Sequence, residues 1–371
     1  MTRHRSELGP AGASLAFPTS LARLVRGGLA ALAAAALLLT GCSAATPEPA
    51  GTPSSSAPGL LPPGEGTTSY PLTLKSGWGE TVLQKRPERI AVIGGLGDFE
   101  ATLALGVSPV VAPAKPDDEP WYAPYADALK DATVIDPWAD TLAVEKVAAA
   151  RPDLIVALGY SNLDQVFTKL KAIAPVLAVQ EKGAFIPDWR TTTNLIGATL
   201  DLPSRASEAI AATDQHIAKV AQDHPQWQGR TVAIVINRGS EFGVELVNNK
   251  GSQAEKLLTA LGFAPHPNAA KMIDKQGYTT VSLENLSIVD ADGIFLYQHG
   301  GRGEAKDAAA WLAKSPLYQR LKAVKAGNVA IISSDDKAST SLPWAFSWPN
   351  ALNLPWTADQ LDQAFEGLFA K

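Results

Sequence analysis

The chain has 371 residues, 46% of them hydrophobic, with a formal net charge of −5 and a single cysteine. An acidic balance without clusters of Lys and Arg argues against a nucleic-acid partner. A single cysteine cannot form an internal disulfide bond, so its presence needs another explanation.

The first 41 residues have the layout of a secretory signal peptide. Four arginines precede an alanine-rich apolar segment at 29–39, and small residues follow it. The apolar run is shorter than the roughly 20 residues that a membrane-spanning helix needs. An uncleaved anchoring helix is the alternative interpretation.

Cys42 directly follows that apolar run. The residues Leu39, Thr40, Gly41 and Cys42 resemble the lipobox of bacterial lipoproteins, which implies that Cys42 is acylated and becomes the mature N-terminus. An intermolecular disulfide bond or a free thiol would also be consistent with one cysteine, but neither explains its position. The segment that follows Cys42, up to residue 69, is rich in Pro, Ser, Thr and Gly and predicts a flexible stalk, with folded structure beginning near Tyr70.

The next residues alternate between strand and helix patterns. The runs "SYPLTL" and "ETVLQ" around "KSGWG" predict a hairpin, "RIAVIGG" a buried strand, and "DFEATLALG" a helix opened by Asp98. Apolar strands such as "PDLIVALG", separated by helices, are typical of a parallel sheet covered on both faces. This block, residues 70–200, predicts an N-terminal α/β lobe.

A long amphipathic helix is predicted at 201–226, bounded by Pro203 and Pro225. A second block of strands and helices occupies 227–371 and predicts a C-terminal α/β lobe. The predicted fold class is therefore α/β, with two lobes that have mainly parallel central sheets and are bridged by one long α-helix.

Catalytic and metal-binding patterns are weak. "VIGGLGDFE" has Glu100 where a dinucleotide-binding fingerprint needs its third glycine, and Ser334 and Lys337 have SxxK spacing without the other motifs of serine hydrolases. The histidines lack the spacing of a dedicated metal site, so no intrinsic cofactor is predicted. A binding protein is the favoured interpretation, and a lipid-anchored cell-wall hydrolase using Ser334 is the alternative.

Ligands of such folds bind at the carboxyl ends of the strands. Tyr160, Arg238, His299 and Arg302 follow predicted strands, and "FIPDWR" and "SLPWAFSWPNALNLPW" add aromatic and arginine side chains. This composition favours a flat, partly apolar ligand that is anionic or rich in carbonyl groups.

Several segments are similar to landmarks of a known family, in order along the chain. "PERIAVIGGLGDFEATLALGVSPVV", "VAAARPDLIVALGY", "WRTTTNLIGATLDL" and "SPLYQRLKAVKAGNVAII" resemble the ferric-siderophore periplasmic-binding family, lipoproteins that supply iron-chelate ABC importers. The resemblance runs from about Leu72 to the C-terminus. It implies a receptor on the outer face of the cytoplasmic membrane that captures a ferric chelate between two lobes and delivers it to a permease.

The resemblance also implies particular site residues. The expected ligand-binding residues are Tyr160, Trp189, Arg190, Arg238, Arg302, Trp344, Phe346 and, by proximity, Trp348. Asp164 and Glu255 are the expected docking carboxylates for the permease, although either position also suits an ordinary helix-start carboxylate. Haem and corrinoid receptors share the fold, and the choice among hydroxamate, catecholate and carboxylate siderophores stays open.

Overall fold

The computed structural model describes residues 59–179, 181–182, 188–269, 279–301, 303–335 and 340–369. The predicted signal peptide, Cys42 and Arg302 lie outside these ranges. The described chain forms two α/β lobes, each built on a five-stranded sheet.

The N-terminal lobe has an entirely parallel sheet, in the strand order β5-β4-β3-β6-β7. Alternate residues of its strands face opposite layers: Ile90 and Val92 pack into one buried cluster, and Ala91 and Ile93 into another. The predicted hairpin precedes the sheet and pairs Leu72 with Leu83. The strands are β1 Leu72–Ser76, β2 Gly79–Leu83, β3 Ile90–Val92, β4 Val111–Ala112, β5 Thr133–Val134, β6 Leu154–Val156 and β7 Val176–Leu177.

Short helices connect these strands. They are α1 Leu96–Ala104, α2 Ala126–Leu129, α3 Val144–Ala149, α4 Leu163–Lys171 and α5 Trp189–Thr199, and a 3₁₀ turn at Pro120–Tyr125 precedes α2.

The long helix α6 runs from Pro203 to Asp223 and contacts elements of both lobes. Its Thr213 hydroxyl donates to the Ala351 carbonyl at 3.1 Å, and His216 Nε2 lies 2.7 Å from Asp359 Oδ1. No helix of the described residues is long and apolar enough to span a membrane.

The C-terminal lobe has a mixed sheet, in the order β10-β9-β8-β11-β12. Strands β8, β11 and β12 are parallel, whereas β9 and β10 run antiparallel to their neighbours because the chain reverses after β8 through a short loop. Gly239 and Gly243 in that loop both have positive φ, which glycine adopts without steric cost. The elements are β8 Val232–Asn237, β9 Val244–Leu246, α7 Gln253–Ala260, β10 Thr279–Val281, β11 Gly293–Gln298, α8 Ala305–Ala313, α9 Lys322–Ala326, β12 Val329–Ser333, α10 Leu342–Ser347 and α11 Asn353–Phe365, with 3₁₀ turns at Pro225–Trp227, Leu283–Val289 and Tyr318–Arg320.

The predicted stalk ends earlier than residue 69. Leu60 and Leu61 pack against the N-terminal lobe, and the N–H groups of Gly66, Thr67 and Thr68 all donate to the Asp201 carboxylate at 2.8 Å. The sequence prediction was wrong here because a segment with few apolar residues can be fixed by hydrogen bonds to one carboxylate, which composition does not reveal.

Candidate functional site

The carboxyl end of the N-terminal sheet forms a glycine-lined surface beside an exposed tryptophan. The Gly95 N–H donates to the Gly159 carbonyl at 3.4 Å, which joins the turns after β3 and β6. A Cβ atom on Gly95 would lie 3.5 Å from the Trp138 ring, and 59% of Trp138 is exposed. Sequence reasoning missed Trp138, although its position just after β5 places it at the same edge of the sheet.

Asp98 lies beneath this surface. Its Oδ2 accepts a hydrogen bond from the Gly159 N–H at 2.9 Å, and a Cβ on Gly94 would lie only 1.7 Å from that oxygen. The side chain is fully buried, burial raises its pKa to about 7, and Asp98 Oδ1 has no hydrogen-bond partner among the described residues. The predicted role of Asp98 in opening α1 was wrong: the helix begins at Leu96 after Gly95 without a side-chain cap, and the carboxyl group instead binds the neighbouring turn.

A second buried carboxyl group lies two residues further along α1. The Tyr122 hydroxyl donates to Glu100 Oε1 at 2.6 Å, and burial raises the pKa of Glu100 to about 8. Trp121, beside Tyr122, contacts Trp356 of α11 with ring centroids 5.1 Å apart. The 3₁₀ turn that carries Trp121 and Tyr122 therefore connects α1 to the C-terminal lobe.

Tyr160 follows β6 as predicted, but its ring is mostly packed. It is 7% exposed and belongs to the cluster that contains Leu163 and Phe167 of α4. Burial raises the pKa of its hydroxyl.

At the carboxyl end of the C-terminal sheet, Arg238 and His299 lie after β8 and β11. The Arg238 Nε atom lies 2.7 Å from Oε1 of Glu245, a buried residue of β9. Burial and the nearby Arg238 charge lower the pKa of His299, against the opposing effect of Glu245. Phe242, 37% exposed, lies against Gly301 in the same group of loops.

Trp189 and Arg190 occupy a different place from the strand ends. Trp189 is 7% exposed and packs in the C-terminal core with Ile217 of α6. The Arg190 guanidinium lies 4.3 Å from the Trp189 ring centroid and forms an ion pair with Asp214 of α6. Arg190 therefore already has partners within the body of the protein.

The three aromatic residues expected near the C-terminus are separated by the turn of α10. Trp344 is 49% exposed, whereas Phe346 is 4% exposed and packs edge-on against Phe295 with centroids 5.7 Å apart. Trp348 ends the helix and is half-buried, and its N–H donates to the Trp344 carbonyl at 2.8 Å. Of the three, Trp344 has the accessible ring.

The described residues contain no group of three or more His, Cys, Asp or Glu side chains suited to a metal ion. The Ser334 hydroxyl donates to the His299 carbonyl at 3.3 Å, and Lys337, its predicted base, lies outside the described ranges.

The two expected docking carboxylates both have partners in their own lobe. Asp164 accepts hydrogen bonds from Trp78 Nε1 at 2.7 Å and from Lys182 at 3.0 Å. Both bonds lower the pKa of Asp164, and the bond from Lys182 has the larger effect. Glu255 lies in the first turn of α7, where its carboxylate accepts from the N–H of Gly251, the residue before the N-cap, and its own N–H donates to the hydroxyl of the N-cap Ser252.

Two other glutamates occupy equivalent positions in the two lobes. Glu145 lies in the first turn of α3, which leads into β6. Glu284 lies at the start of the 3₁₀ segment Leu283–Val289, which leads into β11. Both are exposed, and each is followed two residues later by a buried apolar residue, Val147 or Leu286. In the sequence, "VEKV" and "LENL" share this pattern of a glutamate between two apolar residues three positions apart, and the pattern could have identified the two positions.

Comparison with known proteins gives a consistent result. The family described as "Periplasmic binding protein" matches residues 40–335. The chain is 27% identical over 249 residues to the probable siderophore-binding lipoprotein YfiY of Bacillus subtilis, a match that covers 65% of this chain and 74% of YfiY. It is 25% identical over 251 residues to the Fe(3+)-citrate-binding protein YfmC of the same organism, covering 68% and 75%. The crystal structure of Streptococcus pneumoniae PiaA in complex with ferrichrome is 26% identical with a TM-score of 0.59, covering 80% of this chain and 97% of PiaA.

Proposed function

Because the chain belongs to the periplasmic binding protein family, we propose that it captures a ferric siderophore between its two lobes and delivers it to an ABC importer. The observation that carries the proposal is the pair of strand-end surfaces. Each lobe presents an exposed aromatic ring beside glycines, Trp138 over Gly95 and Phe242 against Gly301. Such surfaces suit a bulky ligand that packs against rings and backbone.

Export and lipid anchoring belong to the same proposal. The lipobox-like run before Cys42 supports acylation of its thiol, and the relatives named above include a lipoprotein. Acylation would hold the protein on the outer face of the cytoplasmic membrane, close to a permease. Labelling with a radioactive fatty acid in cells tests this, because the wild-type chain should incorporate label and Cys42→Ser should not.

Ligand binding is tested by titrating the purified protein with ferric hydroxamates, ferric catecholates, ferric citrate, haem and cobalamin while following tryptophan fluorescence. Trp138 and Trp344 should be quenched by an absorbing chelate. Saturation by a ferric chelate at submicromolar concentration is the expected result. Saturation by haem or cobalamin alone would replace the siderophore assignment, and turnover of an ester substrate with labelling of Ser334 would favour the hydrolase alternative.

A further inference from the structure

We propose that the ligand carries no net negative charge, which identifies it as a ferric trihydroxamate rather than a catecholate or carboxylate chelate. This inference rests on the proposed function. Three singly charged hydroxamate groups cancel the charge of ferric iron, whereas three doubly charged catecholates leave a trianion. A site for a trianion needs unpaired cationic groups facing it.

The described strand-end loops of the C-terminal lobe offer no such group. Arg238 is their one described guanidinium, and it already contacts the carboxylate of Glu245 at 2.7 Å. Glu245 is 6% exposed, so a buried carboxylate lies directly against this guanidinium and the pair as a whole carries no net positive charge. His299 does not add positive charge near neutral pH, because burial and Arg238 lower its pKa.

The strand-end loops of the N-terminal lobe are acidic. Within 113–119, 135–143, 157–162 and the described residues of 178–182, carboxylates outnumber lysines. The carboxylates are Asp117, Asp118, Glu119, Asp136, Asp140 and Glu181, and the lysines are Lys115 and Lys182. Lys182 is bonded to Asp164 at 3.0 Å, so its charge is also matched.

The accessible groups are instead aromatic. Trp138, Trp344 and Phe242 are 59%, 49% and 37% exposed. Aromatic faces attract cations and pack against neutral rings and methylene chains, and they offer nothing to replace the water around an anion. The acidic loops and the aromatic rings therefore favour the same class of chelate.

The test uses chelates that differ in charge but not in iron coordination. Ferrioxamine B carries a protonated amine, its N-acetyl derivative is neutral, and its N-succinyl derivative is anionic. We expect the cationic and neutral chelates to saturate the protein, the anionic derivative to bind at least tenfold more weakly, and a ferric tris-catecholate not to saturate. Raising the salt concentration should weaken the cationic chelate and leave the neutral one nearly unchanged.

A charge variant makes the test sharper. Glu245→Gln keeps the shape of the side chain but releases Arg238 from its partner, so we expect it to raise the affinity for the succinylated chelate several-fold relative to the acetylated one. Glu88→Gln removes the same charge at an exposed position just before β3, at the opposite, amino end of the N-terminal sheet, and should leave that ratio unchanged.

The outcomes separate this inference from the proposed function. Equal or tighter binding of the anionic chelate overturns the inference alone, and if Arg302→Ala abolishes that binding, Arg302 supplies the missing cation. Failure of every chelate in the series and of ferric citrate to bind overturns the proposed function and the inference together, whereas saturation by ferric citrate alone overturns the inference only.

Discussion

The buried carboxyl group of Asp98 accepts a hydrogen bond from the Gly159 N–H at 2.9 Å and thereby connects α1 to the turn after β6. The same turn contacts Gly95, which lies under the exposed ring of Trp138. A titratable group thus supports the surface where we place the ligand.

Asp98 should make the protein less stable as the pH rises. Its pKa is about 7 in the folded protein and 3.8 ordinarily, so unfolding releases a proton between these values and the free energy of unfolding falls as pH rises across that range. Asp98→Asn removes this effect. We expect the stability of wild type relative to Asp98→Asn to fall by about 2 to 3 kcal/mol between pH 5 and pH 8 in urea unfolding.

The difference in stability between wild type and Asp98→Asn is not affected by other titrating groups, because both proteins contain them. His266 and His299, whose pKa values are lowered mainly by burial, raise stability as the pH rises below 6.5, but both variants contain them. Glu100→Gln should behave like Asp98→Asn with its window extending to about pH 8, where the pKa of Glu100 lies. The exposed Asp117→Asn serves as the control, and a wild-type difference that stays constant with pH would contradict the prediction.

Trp138→Ala should weaken ferric-chelate binding about tenfold, or about 1.4 kcal/mol, because it removes the exposed ring beside the glycine surface. Trp138→Phe keeps an aromatic face and should recover most of the affinity. Titration by tryptophan quenching, with Trp344 still present as a reporter, measures both. Unchanged affinity in Trp138→Ala with an unchanged unfolding midpoint would remove Trp138 from the site.

Two pairs of carboxylates are candidates for docking on the permease, and they can be distinguished by charge reversal. Asp164 and Glu255, expected from the resemblance, lie on α4 and α7, which do not occupy equivalent positions in the two lobes. Glu145 and Glu284 do occupy equivalent positions, because each lies in the segment that leads into the strand next to the central one. Since a receptor with two similar lobes presents matching surfaces at matching positions, we expect the double reversal Glu145→Lys with Glu284→Lys to reduce uptake of radioactive iron chelate at least tenfold in cells.

The double reversal of Asp164 and Glu255 to Lys is the matched comparison. Chelate affinity of both purified double variants should equal that of wild type, which isolates docking from binding. A larger loss of uptake in the Asp164 and Glu255 variant would support the assignment from the resemblance instead.

The fold was largely predictable because its signals are local. The continuous apolar runs of β3 and β6 and the bounded apolar stripe of α6 follow from burial on two faces or on one. The site was less predictable because it depends on which groups meet. No pattern indicates that Arg190 pairs with Asp214, that Phe346 packs against Phe295, or that Asp98 binds a turn about 60 residues away. Trp138 was missed because it follows a strand of only two residues, whose end is hard to read from sequence.

Asp201 holds the N-terminal segment at residues 66–68 in place. The Asp201 carboxylate accepts hydrogen bonds from the backbone of Gly66, Thr67 and Thr68 and from the Thr67 hydroxyl. Burial would raise its pKa, but these bonds outweigh it and lower the pKa of Asp201 to about 2. Removing a carboxylate with several such partners costs about 2 kcal/mol. We therefore expect Asp201→Ala to unfold at lower urea concentration at pH 7 and residues 60–68 to lose protection from hydrogen exchange.

The pH dependence distinguishes this carboxylate from a merely space-filling side chain. Because its pKa is depressed in the folded protein, its contribution to stability is present above the ordinary value of 3.8 and is lost as the pH falls towards 2. The difference between wild type and Asp201→Ala should therefore shrink between pH 5 and pH 2.5. Asp201→Asn, which tolerates the positive φ of this position and retains one acceptor oxygen, should lose less stability at pH 7 than Asp201→Ala. A loss that is larger in Asp201→Ala than in Asp201→Asn but does not change with pH would assign the effect to backbone strain at this positive φ instead of to the hydrogen bonds that hold residues 66–68 beside the start of α6.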